Sequence, residues 1–120
     1  MRPQRLFSGL LLTFLWLSPA LQAAEEAFSP VQAAYLQAET RKADERFIAE
    51  VARITASPLP VVRRAMPPEG RITDPAARVI ASIEAQRKIA VSDAQRSLIA
   101  NAEQQRRLAI TNARAVARKR

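Results

Sequence analysis

The sequence predicts an all-α protein behind an export leader. Three observations carry this: an apolar leader in signal-peptide order, two long helical patterns opened by capping residues, and a proline-rich stretch between them. Met1–Arg5 bears Arg2 and Arg5, Leu6–Leu17 is an apolar run, and Ser18–Ala23 holds a proline and small residues. That is the order of a secretory signal peptide, with cleavage expected after Ala23 (Ala20 as second choice). The alternative, an uncleaved anchor, needs about 20 apolar residues, and Pro19 and Gln22 interrupt the run too early.

The organisation read from the sequence is therefore a leader over 1–23, a helical segment over 24–57, a proline-rich linker over 58–74 and a basic helix over 75–120. Ser29-Pro30-Val31-Gln32 opens the first helix, with serine at the N-cap, proline at the first helical position and glutamine three residues on. Ser57 precedes Pro58, which disfavours helix there, so the helix spans about 30–56 and is about 40 Å long. Leu36, Thr40, Ala43, Phe47, Val51 and Ile54 fall on one face at steps of three or four. Glu39/Lys42, Arg46/Glu50 and Glu50/Arg53 have the spacing of ion pairs on a solvated face. The stretch from Pro58 to Gly70 reads as a semi-rigid linker, and Arg63-Arg64 within it as exposed linker.

Asp74 and Pro75 open the second helix as N-cap and first residue. No proline or glycine follows, so a single helix over 75–118, about 66 Å long, is expected. Its main stripe runs Ala76, Ile80, Ile83, Val91, Ala94, Leu98, Leu108 and Val116, while Ile99 and Ile110 fall on the other side with Ala81 and Ala117. A helix apolar on two sides requires more than one short neighbour. The expected architecture is an extended helical hairpin, coiled-coil-like, completed by self-association or a protein partner. Scarce aromatics leave a third arrangement, a chain ordered only on binding. Three segments share an acid-x-Gln-Arg-x-aliphatic form, beginning at Glu84, Asp93 and Glu103. Their steps of nine and ten residues turn them to different faces, so they read as helix-supporting composition.

Composition narrows the chemistry. The chain of 120 residues has no His and no Cys, which excludes disulfides, thiolate or imidazole metal ligands and lipid attachment at a cysteine. There is no Gly-x-Ser-x-Gly elbow or glycine-rich phosphate loop, and no recurring carboxylate pair in an apolar setting. No catalytic residue, cofactor or metal is expected, and the chain reads as a non-enzyme.

The net charge is +8, and removal of Arg2 and Arg5 takes it to +6. Residues 25–70 carry a net −1 and residues 71–120 a net +7. After Glu103 come Arg106, Arg107, Arg114, Arg118, Lys119 and Arg120 with no acid among them. Such a cluster suits phosphates, but export and the lack of aromatics after residue 74 disfavour nucleic acid. The same cations also complement a helix C-terminus.

The function expected is that of an exported, periplasmic or secreted, helical accessory protein, an adaptor or holdase-like factor working by coiled-coil contact. The expected contact residues are Leu36, Phe47, Val51 and Ile54 on the first helix and Ile80, Ile83, Val91, Leu98 and Leu108 on the second. The rival is a peripheral binder of an anionic envelope surface through the six basic residues above. No segment after the leader is apolar enough to span a membrane.

Overall fold

The computed structural model describes residues 27–67 and 74–120. The leader over 1–23 lies outside the described residues, as does the end of the proline-rich stretch. Four helices and no strand occur among the described residues: α1, Pro30–Thr55; α2, Leu59–Ala65; α3, Pro75–Arg87; and α4, Asp93–Arg118.

α1 begins where the capping box predicts. Ser29 Oγ accepts the Gln32 N–H at 3.2 Å, and Gln32 Oε1 accepts the Ser29 N–H at 2.8 Å. The helix ends at Thr55 because Ala56 turns left-handed, at φ 49°. The expected helix over 75–118 is corrected: it is two helices, broken at Lys88. Lys88 adopts a left-handed conformation at φ 54°, and Ser92 then opens α4 with a second capping box closed by Gln95. The absence of proline and glycine did not keep the helix whole, because a serine followed three residues on by glutamine is itself a start signal. Glu84 reinforces the break by accepting the Val91 N–H at 3.0 Å and the Arg96 guanidinium at 3.1 Å.

The proline-rich stretch is corrected in part. Leu59–Ala65 is helical, with Pro58 at the N-cap and Pro60 in the first turn, where a missing N–H loses no bond. Val62 is fully buried and Ala65 nearly so, which anchors this turn to the core. Arg63 pairs with Glu45 on α1 at 2.7 Å and 2.9 Å. Hydrogen bonds from Arg63 hold the Glu45 carboxyl below the usual glutamate range, so this tie is fully present above that range and is lost only as the pH falls below it.

α1 and α4 form an antiparallel stem. At one end Gln32 Nε2 reaches the Arg120 carbonyl at 3.4 Å; at the other Gln95 Nε2 donates to the Ile54 carbonyl at 3.0 Å. α2 and α3 pack at the latter end, so the stem grows from a small helical head. The core lies in that head and comprises Phe47, Ile48, Val51, Val62, Ala65, Ala76, Val79, Ile80, Ile83, Val91 and Ile99. Side chains stitch α3 to its neighbours: Arg87 Nη1 donates to the Thr55 and Ala56 carbonyls at the end of α1 at 3.2 Å and 2.9 Å, and Gln86 Nε2 to the Val61 carbonyl of α2 at 3.0 Å.

The break carries a test of sign. A left-handed turn at Lys88 strains a side chain bearing Cβ, whereas a continuous helix there would suit lysine. Lys88→Gly should therefore stabilise the protein by up to about 1 kcal/mol in urea melts; an unbroken helix predicts a loss of about 1 kcal/mol instead.

Candidate docking groove

α4 has two faces, and their assignment differs from the apolar stripe read in the sequence. The face on α1 is built from Ile99, Ala102, Glu103, Arg106, Ala113 and Ala117, of which Ile99 and Ala117 are fully buried. Leu98, one residue from Ile99, is 50 % exposed; Leu108 is 49 % and Val116 43 % exposed. The line that looked like the packing stripe is thus the open one.

The buried face contains a charged network. Glu103 is 5 % exposed at its side chain and accepts Arg106 Nε at 2.8 Å, Arg106 Nη2 at 2.9 Å and Arg107 Nε at 3.1 Å. Arg106 crosses to Asp44 on α1 at 3.0 Å. Hydrogen bonds to Glu103, with Asp44 adding to them, raise the Arg106 pKa further above its ordinary value. Among the described residues no buried side-chain N or O lacks a partner. Within this network only Arg106–Asp44 crosses between the helices, so sliding either helix by a turn would break that pair while Arg106 kept Glu103.

Beside this seam a groove of about 840 Å³ runs between α1 and α4. Its floor is Ala43, Phe47, Ala102 and Ala109; Leu98 and Leu108 stand on the α4 wall, and Arg46, Glu50 and Arg53 on the α1 wall. Glu50 and Arg53 pair with each other, and that contact lowers the Glu50 pKa. Alanine on the floor lets another backbone approach closely, and half-exposed leucines with amides Asn101 and Gln105 between them and Asn112 beyond give an amphipathic rim.

The expected contact residues separate into two groups. Phe47, Val51, Ile80, Ile83 and Val91 are in the core, with Ile54 packed against it, and Leu36 is half-buried on the stem. They hold the fold together. Leu98 and Leu108 alone among them remain free to meet something else. The basic set separates as well. Arg106 is committed to the internal network and Arg107 to Glu103. Arg118 lies 5.5 Å over the Phe28 ring and Arg120 4.1 Å over the Tyr35 ring, tying the end of α4 to the start of α1 by cation–π contact. Arg114 and Lys119 are exposed.

Sequence reasoning passed over Gln86, Arg87, Gln95 and Arg96, which join one helix to another, and assigned Arg106, which does the same, to an anionic surface. They are the Gln-Arg pairs of the first two similar segments and the arginine of the third segment's pair. Their signal was present in the repeat itself. Each unit reaches α1 or its end: Arg87 at Thr55 and Ala56, Gln95 at Ile54 and Arg106 at Asp44.

Among the described residues no helix is long and apolar enough to cross a membrane, and no cluster of acidic side chains could hold a metal ion. No family model matches the chain, and neither a curated protein nor a solved structure matches it.

Proposed function

We propose that this is an exported helical accessory protein, periplasmic or secreted and without catalytic activity, whose groove between α1 and α4 receives a helix in coiled-coil fashion. The observation that carries the reading is the pair Leu98 and Leu108, half-exposed on a helix whose opposite needs are already met by α1. Burying each leucine fully would contribute on the order of 1 kcal/mol, about half the value of a leucine taken from full exposure. A helix laid in the groove would cover both. Adaptor or holdase-like action follows from this one capability: holding another helix without changing it chemically.

Binding of an anionic envelope surface through the basic end of α4 is the second reading. The exposed Arg114 and Lys119 favour it. Against it, Arg106 and Arg107 are engaged by Glu103, which leaves fewer cations for a surface than the sequence offers.

Co-sedimentation with envelope fractions at low and high salt separates the two, using wild type, Leu98→Asp and a chain ending at residue 113. The groove reading expects Leu98→Asp to lose binding at least tenfold, since a carboxylate would enter an apolar contact unpaired, and expects truncation to cost little. Binding that survives Leu98→Asp but vanishes with truncation or salt supports the surface reading, because exposed charges are screened within about 10 Å at 0.1 M salt. The cell-associated protein should begin near Ala24 on N-terminal sequencing; intact Met1 in the cytoplasm contradicts export.

A further inference from the structure

The open wall of α4 has a pattern that reads the same in both directions. Leu98, Asn101, Gln105 and Leu108 succeed one another at steps of three, four and three, a leucine at each end and an amide at each inner position. This is the spacing of a coiled-coil seam. It is also uncharged. The four seam positions carry no ionisable side chain; the charges lining the groove beside them are Arg46, Glu50 and Arg53 on the α1 wall, where Glu50 and Arg53 pair with each other, and Arg106, which is turned to Asp44 and Glu103. In a chain of net charge +6 once Arg2 and Arg5 are removed, an uncharged strip is where another positively charged copy can approach with least repulsion.

We propose that the groove's occupant is a second copy of this chain, docked antiparallel along α4 about a two-fold axis level with Glu103. The inference rests on the groove reading and names its partner. In that register Leu98 meets Leu108 of the second copy, and Asn101 meets Gln105 of the second copy. The same two contacts repeat on the other side of the axis, as an isologous interface requires. Each amide both donates and accepts, so the facing Asn–Gln pairs satisfy one another when water is excluded. Shifting one helix by a turn would set leucine against amide, so the amides fix the register. Ala102 and Ala109, small residues beside the seam, permit the close approach.

The chain has no cysteine, so introduced ones report without background. The protein purified from its host should sediment as a dimer that persists or tightens as salt is raised, since salt screens the repulsion between copies. Oxidation of an equal mixture of Leu98→Cys and Leu108→Cys should give a cross-linked dimer. Leu98→Cys alone should not, because like positions then lie about 15 Å apart along the axis, and a disulfide requires Cα atoms within about 7 Å. Circular dichroism of each variant confirms that the helices are intact. A monomer at every concentration, or a Leu98→Cys chain that cross-links to itself, overturns the proposal. If the purified protein is monomeric while Leu98→Asp still abolishes envelope co-sedimentation, the second copy is wrong and the groove reading stands. If both fail, both are wrong.

Discussion

Glu103→Ala should destabilise the protein by about 3 kcal/mol, the lower end of the cost of breaking a buried ion pair, since Arg106 keeps some access to water. Glu103 is the centre of the only charged network that joins the two long helices among the described residues, and its side chain is 5 % exposed. Without it Arg106 retains Asp44 alone, in a site where the guanidinium is 18 % exposed. A small domain has about 5–15 kcal/mol in all, so the loss is a large share of what holds the stem together. Asp44→Ala should cost less, about 1 kcal/mol, because Asp44 is 35 % exposed and water replaces part of what it gives. The double change Glu103→Leu, Arg106→Met should come out near neutral, since it removes the charges together with their desolvation cost. Urea melts monitored by circular dichroism measure all three. Glu103→Ala within about 0.5 kcal/mol of wild type would show that the network is incidental to the stem, because only surface changes are that mild.

Ile99→Ala should cost about 2–5 kcal/mol, and Leu98→Ala well under 1 kcal/mol. The two residues are adjacent and nearly the same size. They differ because α4 turns one onto α1, fully buried, and leaves the other half in water. Truncating Ile99 leaves a cavity in the core cluster that also holds Phe47, Val51 and Val91. Truncating Leu98 leaves only a shallower groove wall. The pair therefore dissociates folding from docking: measured at a dilution where the chain is monomeric, Ile99→Ala should lower the melting temperature and Leu98→Ala should leave it in place, while Leu98→Ala weakens the groove's contact. Equal melting losses for the two would mean that α4 is rotated from the position described.

The all-α class and the boundaries of α1 were legible because proline, serine and glutamine sit where local chemistry allows one use for them. The start of α3 at Asp74 and Pro75 was legible for the same reason: Asp74 Oδ1 accepts the Ala77 N–H at 3.1 Å. The break at Lys88 was not. A lysine in a left-handed turn has no signature of its own, and the signal lay four residues later in Ser92 and Gln95. That break explains the misassigned face. Counting Val91, Ala94 and Leu98 as one stripe assumes an unbroken helix through residues 88–92, and once the chain leaves the helix there the phase is lost. Ile99 and Ala117, which the sequence shows on the opposite side, become the packed face. The short helix α2 was hidden by its own prolines, which in the first turn begin a helix instead of preventing one. The charged network was illegible for a different reason. Glu103 and Arg106 look like any exposed pair three residues apart, and only the tertiary approach of Asp44 from α1 makes them internal.

Occupation of the groove in its native setting is the most direct measure of the account. Leu98→Cys places a single thiol on the groove wall, and Ala100→Cys places one at an exposed position on the same helix, on a different face. A membrane-impermeant maleimide admitted to the envelope should label Cys-substituted position 100 readily and position 98 slowly, because an occupying helix covers position 98. After purification and dilution the two should label at similar rates. If position 98 labels as fast as position 100 in intact cells, nothing occupies the groove there, and docking along α4 is not what this protein does.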